Sequence, residues 1–172
     1  MEFFGYSLWL QPEGEDYQEF SSLIKQLAAK YHGPVFEPHV TLLGGFPQND
    51  EQQVIFLTQQ LAKRHTTFAI QLKEIDYEDF YFRTLFIHVE KTPELLKLNS
   101  EARKLFGISN EPPFMPHLSI LYGEYPNETK EKIIGEIGRE HNLSFYPSVI
   151  TVIHSSGREN TWKVVGKLPF AS

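Results

Sequence analysis

Hydrophobic positions along the chain switch between two spacings, and each switch predicts a new secondary-structure element. In the first half, apolar residues recur at helical spacing over 15–31 and again over 50–63, which predicts two helices. The N-cap of the second helix is predicted to be Asp50 or Asn49. Apolar runs of strand length lie at 6–10, from about Pro38 onward, and at 68–75. This half is therefore predicted to fold in the order β-α-β-α-β.

The second half repeats this order. Thr92 and Pro93 are typical of a helix start, as N-cap and first helical residue, and Gly107 is typical of its end. Asn127 is predicted to cap a further helix that runs to about Glu140. Strands are predicted over 81–89, through His117, over 143–153 and over 162–168.

Repetition of the same order in one chain predicts an internal structural repeat. We expect a single α+β domain over 1–172, with a lobe-level repeat at roughly 1–78 and 79–172. Each pseudo-symmetric lobe would contain an antiparallel sheet with flanking helices. The cleft between two such lobes is the predicted position of a functional site.

A twelve-residue segment, 36–47, is repeated at 114–125, an offset of 78 positions. The polar residues of this repeated segment are the candidate functional groups. Each copy has a histidine followed two residues later by a hydroxyl: His39 with Thr41, and His117 with Ser119. Residues i and i+2 of a strand share one face and lie about 7 Å apart. We therefore predict that the two His–hydroxyl pairs face each other across the cleft.

Composition narrows the classes of function. The chain is 41% hydrophobic and 14% aromatic, enough for a packed core, and its net charge is −6. Such a charge does not favour non-specific binding of long nucleic acid, because that affinity comes from neutralising phosphates. A small phosphorylated ligand is still compatible with it. The absence of cysteine excludes disulfides, thiolate nucleophiles and cysteine-ligated metals.

The sequence shows neither a signal peptide nor a transmembrane segment. The amino-terminal residues lack the basic region and hydrophobic run of a secretory signal, and the longest apolar runs have the length of strands. We expect a cytoplasmic monomer that does not contact a membrane.

Two histidines and two hydroxyls suit the hydrolysis of a phosphodiester. Histidine titrates near neutrality, so one imidazole can take a proton from water while the other protonates the leaving oxygen. The hydroxyls of Thr41 and Ser119 can hydrogen-bond the non-bridging oxygens and stabilise the charge that develops on them. This scheme needs no metal and no cofactor. It fits a cyclic phosphodiester, in which ring opening creates one alkoxide that needs a proton.

Aromatic residues near the motifs are further candidates for the site. Trp9, Phe82 and Trp162 are typical of a core, yet a cleft that stacks a nucleobase needs such residues. Tyr122 would point away from the cleft on a regular strand, whereas a bend at Gly123 would change its direction. We include Trp9, Phe82 and Tyr122 among the predicted substrate-binding residues.

Arg83 interrupts a predicted apolar strand, so it needs solvent or an anionic partner, and a substrate phosphate is one candidate. We include it among the substrate-binding residues. The remaining histidines are assigned to the core, the surface or helix ends: His32, His65, His88, His141 and His154.

The doubled His-x-Thr/Ser motif resembles that of the 2H phosphoesterase superfamily, and within it the cyclic phosphodiesterases of plants and yeast. The resemblance covers nearly the whole chain. It is carried by Tyr6–Trp9, Glu37–Thr41, Phe80–Arg83, Met115–Tyr122 and Thr161–Trp162.

The resemblance implies a bilobal fold and metal-independent hydrolysis of ADP-ribose 1″,2″-cyclic phosphate or of nucleoside 2′,3′-cyclic phosphates, the latter to 2′-phosphates. It also implies that His39 is the proton donor and His117 the base, although the sequence itself is symmetric in this respect. Arg83 stands where the family pattern predicts glutamine, which puts the substrate preference in question.

Three alternatives remain at this point. The first is an RNA 2′,3′-cyclic phosphodiesterase or 2′,5′-RNA ligase-like enzyme that acts on RNA ends, which the acidic chain does not favour. The second is a catalytically idle module that binds nucleotides or RNA, against which the two intact motifs argue. The third is a metal-dependent hydrolase, but the sequence has no tight His/Asp cluster with metal-ligand spacing.

Overall fold

The computed structural model describes residues 5–172. In this range the chain forms four α-helices: α1 (Gly14–Tyr31), α2 (Glu51–Ala62), α3 (Pro93–Phe106) and α4 (Asn127–Ile137). The strands are β1 (Tyr6–Leu10), β2 (Val40–Phe46), β3 (Ile70–Asp76), β4 (Leu85–Val89), β5 (His117–Leu121), β6 (Ser144–Phe145), β7 (Val149–His154) and β8 (Lys163–Pro169). Two short 3-10 turns lie at Tyr81–Arg83 and Glu159–Thr161.

All eight strands belong to one sheet in the order β6-β3-β4-β5-β2-β1-β7-β8, with antiparallel neighbours. This confirms the predicted α+β class. The two predicted antiparallel sheets are the halves of this sheet. They meet where β2 pairs with β5, and the register there matches Val40 with Leu118.

The strand order shows an exchange between the two sequence repeats. β3 and β7 occupy equivalent places in the repeats, but β3 pairs with β4 of the second repeat, and β7 pairs with β1 of the first. Each half of the sheet therefore contains a central strand contributed by the other repeat. The helices cross over in the same way, because α1 packs on β5 and α3 packs on β2.

Several predicted helix ends are confirmed. The Asp50 carboxylate accepts a hydrogen bond from the amide of Gln53, and the Thr92 hydroxyl accepts one from the amide of Leu95. Both bonds satisfy amides that have no partner within the helix. Gly107 ends α3 in the left-handed region, with a φ of 66°.

The predicted cap and end of the fourth helix are wrong. Pro126 is the N-cap residue, and Asn127 is already helical. The Asn127 side chain instead accepts a hydrogen bond from Nζ of the buried Lys130, 3.2 Å away. The helix ends at Ile137 because Gly138, with a φ of 87°, leaves the helical conformation.

The strand predicted over 81–89 begins only at Leu85. Its first part forms a 3-10 turn, in which the Arg83 amide donates to the Phe80 carbonyl over 2.9 Å and the Glu78 amide donates to the Arg83 carbonyl over 3.0 Å. Aromatic residues favour strands, but here these local bonds take the place of strand pairing.

The strand predicted over 143–153 is two strands. β6 pairs with β3 and β7 pairs with β1, so the chain crosses between the halves of the sheet at 146–148. Pro147 lies in this crossing, where its missing amide hydrogen costs no ladder bond. Among the described residues, no helix has the length and hydropathy needed to cross a membrane.

Candidate active site

The four predicted motif residues lie around the junction of the two halves of the sheet. Because Val40 is opposite Leu118 in antiparallel register, His39 is level with Ser119 and Thr41 is level with His117. All four line one cavity of about 460 Å³. The structure therefore brings together the two pairs that the repeated segment predicted.

Both imidazoles are held in the same tautomer by a backbone carbonyl two residues earlier. Nδ1 of His39 lies 2.7 Å from the Glu37 carbonyl oxygen, and Nδ1 of His117 lies 2.8 Å from that of Met115. A carbonyl oxygen only accepts, so each Nδ1 carries a hydrogen and donates it. In the neutral ring, Nε2 is then the nitrogen with the free lone pair.

Burial keeps both histidines neutral at physiological pH. It lowers the pKa of His39 to about 4, and the nearby charge of His117 acts in the same direction. Burial also lowers the pKa of His117 to about 4, with smaller contributions from the charges of Arg83 and His88. A histidine that acts as an acid in this cavity must therefore gain its proton when an anion binds.

The two imidazoles have different aromatic neighbours. The ring of Trp9 stacks on that of His39 with 3.6 Å between centroids and an angle of 7°. Phe86 meets His117 in an edge arrangement, at 5.3 Å and 66°. The face of an indole stabilises a cation placed over it, so the stack favours a positive charge on His39. Among residues 5–172, no aromatic face stacks on His117 in this way.

The two hydroxyls differ as well. Ser119 Oγ is buried and donates a hydrogen bond to the Phe82 carbonyl, 2.7 Å away. Thr41 is partly exposed to the cavity, and its hydroxyl makes no hydrogen bond with any residue from 5 to 172. Thr41 is thus a ready donor, whereas Ser119 has to release Phe82 before it can donate to a ligand.

The predicted aromatic residues Trp9, Phe82 and Tyr122 all line the cavity. Tyr122 follows the last residue of β5 and stacks on Phe36 at 3.6 Å and 12°. Its ring also meets Phe82 edge-on at 5.1 Å, and burial raises the pKa of its phenol. Tyr122 therefore forms part of the wall and does not point away from the cleft.

Arg83 lines the cavity from the 3-10 turn, at a position for which the sequence predicts a strand. Its Nε forms an ion pair with the Glu78 carboxylate at 2.8 Å, and its guanidinium lies 4.8 Å from the centre of the Phe80 ring. The anionic partner that the sequence required is thus Glu78 in this structure. The charge of Arg83 adds to burial, the largest cause, in lowering the pKa of His117.

The other five histidines are not among the described residues that line the cavity. His88 Nε2 lies 3.0 Å from an Asp76 carboxylate oxygen, and His65 Nε2 lies 2.6 Å from that of Glu101. Within residues 5–172, no group of three or more His, Asp or Glu is placed to hold a metal ion.

Sequence reasoning missed the wall opposite the aromatic residues. It is built by the last turns of α3 and by the segment that joins α3 to β5: Asn99, Arg103, Ile108, Glu111, Pro112, Pro113, Phe114 and Met115. The Arg103 guanidinium donates to the carbonyls of Ser109 and Pro112, at 2.5 and 3.1 Å, and so fixes this segment. Only the position of Phe114 and Met115, just before the second motif, hinted at this wall.

Known proteins resemble this chain along almost its whole length. A family described as cyclic phosphodiesterase-like protein matches residues 4–170. A cyclic phosphodiesterase of Arabidopsis thaliana is 29% identical over 127 residues, which cover 73% of this chain and 69% of that protein. A 2′,3′-cyclic-nucleotide 3′-phosphodiesterase of Yarrowia lipolytica is 26% identical over an alignment of 220 positions, which covers 96% of this chain and all of that protein.

Solved structures share the fold. E. coli LigT complexed with 3′-AMP has a TM-score of 0.64 at 16% identity, with 98% of each chain covered. LigT complexed with NADP+ has a TM-score of 0.61 at 15% identity, and both chains are covered completely. The family match, the bilobal sheet and the two motifs agree. The chain belongs to the cyclic phosphodiesterase-like family, whose named relatives are phosphoric diester hydrolases.

Proposed function

We propose that this protein opens nucleoside 2′,3′-cyclic phosphates to 2′-phosphates, with His39 as general acid and His117 as general base. The observation that carries the proposal is the matched pair of imidazoles, each held by a carbonyl through Nδ1, in one cavity with two hydroxyls. The names of the relatives from Arabidopsis and Yarrowia support this reaction class.

The register gives the histidines a spacing that suits in-line displacement. His39 and His117 are diagonal neighbours across β2 and β5, a relation that places backbone positions about 7–8 Å apart. A tetrahedral phosphate between them would present its attacked face to one imidazole and its leaving oxygen to the other.

Two features support the assignment of acid and base. Arg83 places a positive charge near His117, which disfavours an imidazolium there and suits a base that starts neutral. The indole of Trp9 covers His39 face to face and favours a cation at that position. Binding of an anionic phosphate raises the pKa of a nearby imidazole, so His39 gains its proton as the substrate binds.

The reaction then balances in one step. Nε2 of His117 takes a proton from water while the water oxygen forms a bond to phosphorus. The bond between phosphorus and O3′ breaks, and His39 gives its proton to the departing O3′. The product is the 2′-phosphate, with the proton gained by His117 and that lost by His39 exchanged through solvent. Each proton transfer is worth about 10²- to 10⁴-fold in rate.

The hydroxyls would hold the non-bridging oxygens. Thr41 is placed to donate without loss of an existing bond, while Ser119 exchanges its bond to Phe82 for one to the phosphate. Charge on these oxygens grows in the transition state, and preorganised donors stabilise it more than they stabilise the ground state.

We extend the proposal to a larger substrate of the same chemical class, ADP-ribose 1″,2″-cyclic phosphate. Arg83 and the aromatic wall of Trp9, Phe82 and Tyr122 would contact the rest of such a nucleotide. The ligands named for LigT, which include 3′-AMP, ATP and NADP+, support binding of small nucleotides in this fold.

Hydrolysis of 2′,3′-cyclic AMP and of ADP-ribose 1″,2″-cyclic phosphate, followed by ³¹P NMR with and without EDTA, tests the proposal. We expect 2′-AMP from the first substrate and rates that EDTA leaves unchanged. The His39→Ala/His117→Ala double variant controls for contaminating enzymes. Failure to open either ring would refute the proposed function, and loss of activity in EDTA would refute its metal-independent mechanism.

A further inference from the structure

The two sequence repeats differ at the outer end of the motif strands. At the offset of 78 positions, Phe36 corresponds to Phe114 and Gly44 corresponds to Tyr122. Phe36 and Tyr122 form a face-to-face stack across the two repeats, at 3.6 Å and 12°. The pseudo-symmetric mate of this stack would join Phe114 to residue 44. Because that residue is glycine, the second stack has only one of its two rings.

The place of the missing ring is open. Gly44 and Phe114 line the same cavity, and a Cβ built on Gly44 would meet one described atom within 4 Å, the Thr41 methyl at 3.0 Å. Gly44 is exposed, as is the neighbouring wall segment 111–113, so this end forms the mouth of the cavity. Phe36 and Tyr122, at 8% and 2% exposure, leave no comparable room at the other end.

The walls around this space combine apolar and polar groups. Leu43 and Ile108 supply aliphatic surface, and both line the cavity. The Asn99 side chain donates from Nδ2 to the Leu42 carbonyl over 2.8 Å, so its Oδ1 is the acceptor that remains for a ligand. A flat ring with a hydrogen-bonding edge matches this set of contacts.

We propose that the base of a bound nucleotide lies against Phe114 in the space that Gly44 leaves, and completes there the stack that Tyr122 completes in the other half. This inference rests on the proposed function in one respect: the ligand is a nucleotide whose phosphate sits between the two histidines. Phe114 and Gly44 are then specificity-determining residues, since they recognise the base and not the reacting ring.

The test compares 2′,3′-cyclic AMP with methyl riboside 2,3-cyclic phosphate, in which a methoxy group replaces the base. Base–aromatic stacking corresponds to roughly a 5- to 150-fold change in affinity. We expect Phe114→Leu to raise KM for 2′,3′-cyclic AMP by about this factor. The preference for 2′,3′-cyclic AMP over the methyl riboside 2,3-cyclic phosphate should fall by the same factor. The matched control is Phe36→Leu, which should change both substrates in parallel because Phe36 packs on Tyr122.

A second pair of variants tests the space itself. Gly44→Ala and Gly44→Phe share the new Cβ contact with Thr41, but only the latter adds a ring. We expect Gly44→Phe to remove the preference for cyclic AMP and Gly44→Ala to keep it. An unchanged preference in both Phe114→Leu and Gly44→Phe would overturn the inference.

Product binding separates this inference from the proposed reaction. Calorimetry of 2′-AMP and methyl riboside 2-phosphate needs no turnover. A wild-type preference for 2′-AMP that Phe114→Leu removes supports the base site even if no cyclic phosphate is hydrolysed, an outcome that would refute only the proposed function. Equal wild-type affinities for the two products would overturn the base site while leaving the reaction untouched.

Discussion

The two halves of the cavity use the same groups in different surroundings. His39 and His117 are both fixed through Nδ1 to the carbonyl of residue i−2, and burial lowers the pKa of both to about 4. Yet His39 lies under an indole face, whereas His117 lies near the charge of Arg83. The repeated motif places two histidines in equivalent positions, and residues outside the motif make their surroundings unequal.

The hydroxyls and the end walls also differ between the two halves of the cavity. The Thr41 hydroxyl has no hydrogen-bond partner among residues 5–172, while the counterpart hydroxyl of Ser119 is bonded to a carbonyl. Tyr122 fills the end of one half, while Gly44 leaves the equivalent space empty. A scaffold built from a sequence repeat thus presents an asymmetric cavity.

Removal of either histidine should have the largest effect and should distinguish the two halves. We expect His39→Ala and His117→Ala each to lower kcat by about 10²- to 10⁴-fold on 2′,3′-cyclic AMP. With 1,2-phenylene phosphate, whose leaving phenolate needs less protonation than an alkoxide, the loss in His39→Ala should shrink and that in His117→Ala should persist. Steady-state kinetics on both substrates measure this.

His141 is only partly exposed and does not line the cavity, so it provides the control, and His141→Ala should retain the wild-type rate. If the better leaving group rescued His117→Ala and not His39→Ala, the acid and base roles would be reversed.

Removal of the hydroxyls should have the next largest effect. Thr41→Ala should lower kcat by about 10²- to 10³-fold, as expected for a donor that acts on the developing charge. Ser119→Ala should cost less, because donation by Ser119 requires loss of its bond to Phe82. Thr41→Ser keeps the hydroxyl and should recover most of the rate. Equal losses in the two alanine variants would show that the serine donates as readily as the threonine.

The pH dependence of stability should follow from the two lowered pKa values. Between about pH 6.5 and pH 4 the unfolded chain protonates its histidines, while folded His39 and His117 stay neutral. The free energy of unfolding should therefore fall as the pH falls through this window, by up to roughly 1.4 kcal/mol per pH unit for each histidine.

Urea unfolding at several pH values measures this slope. His39→Gln and His117→Gln should each flatten it relative to the wild type. A wild-type stability that does not change between pH 6.5 and pH 4 would contradict the burial argument.

Replacement of Arg83 should have the smallest effect, and this effect should be confined to the half of the cavity that contains His117. In Arg83→Gln the pKa of His117 should rise, because one charge that lowers it is removed, while the pKa of His39 should not respond. NMR titration of the imidazole Cε1–H signals measures both. A shift of His39 equal to that of His117 would mean that the guanidinium acts on both halves alike.

Much of this arrangement could be predicted from the sequence because it depends on short-range patterns. The repeated segment identified the four motif residues, and alternation along a strand put each histidine and hydroxyl on one face. Caps at Asp50 and Thr92 were likewise local, since side chain and amide lie three residues apart.

What the sequence did not predict depends on contacts between distant segments. The 3-10 turn at Tyr81–Arg83 has the composition of a strand, and its conformation is decided in part by the Thr84 hydroxyl, which donates to the Gly123 carbonyl. The wall that contains Asn99 and Arg103 exists because α3 crosses to β2, and helical periodicity shows only that one face is buried.

The exchange of β3 and β7 has a consequence for biosynthesis. As the chain emerges from the ribosome, β1 and β2 appear early, but the other neighbour of β1 is not synthesised until residues 149–154. Until then one edge of β1 has no partner strand, and β1 carries the indole that stacks on His39. The first motif can therefore reach its final surroundings only after most of the polypeptide has been translated, so a prematurely terminated chain would not hold its two histidines in this arrangement.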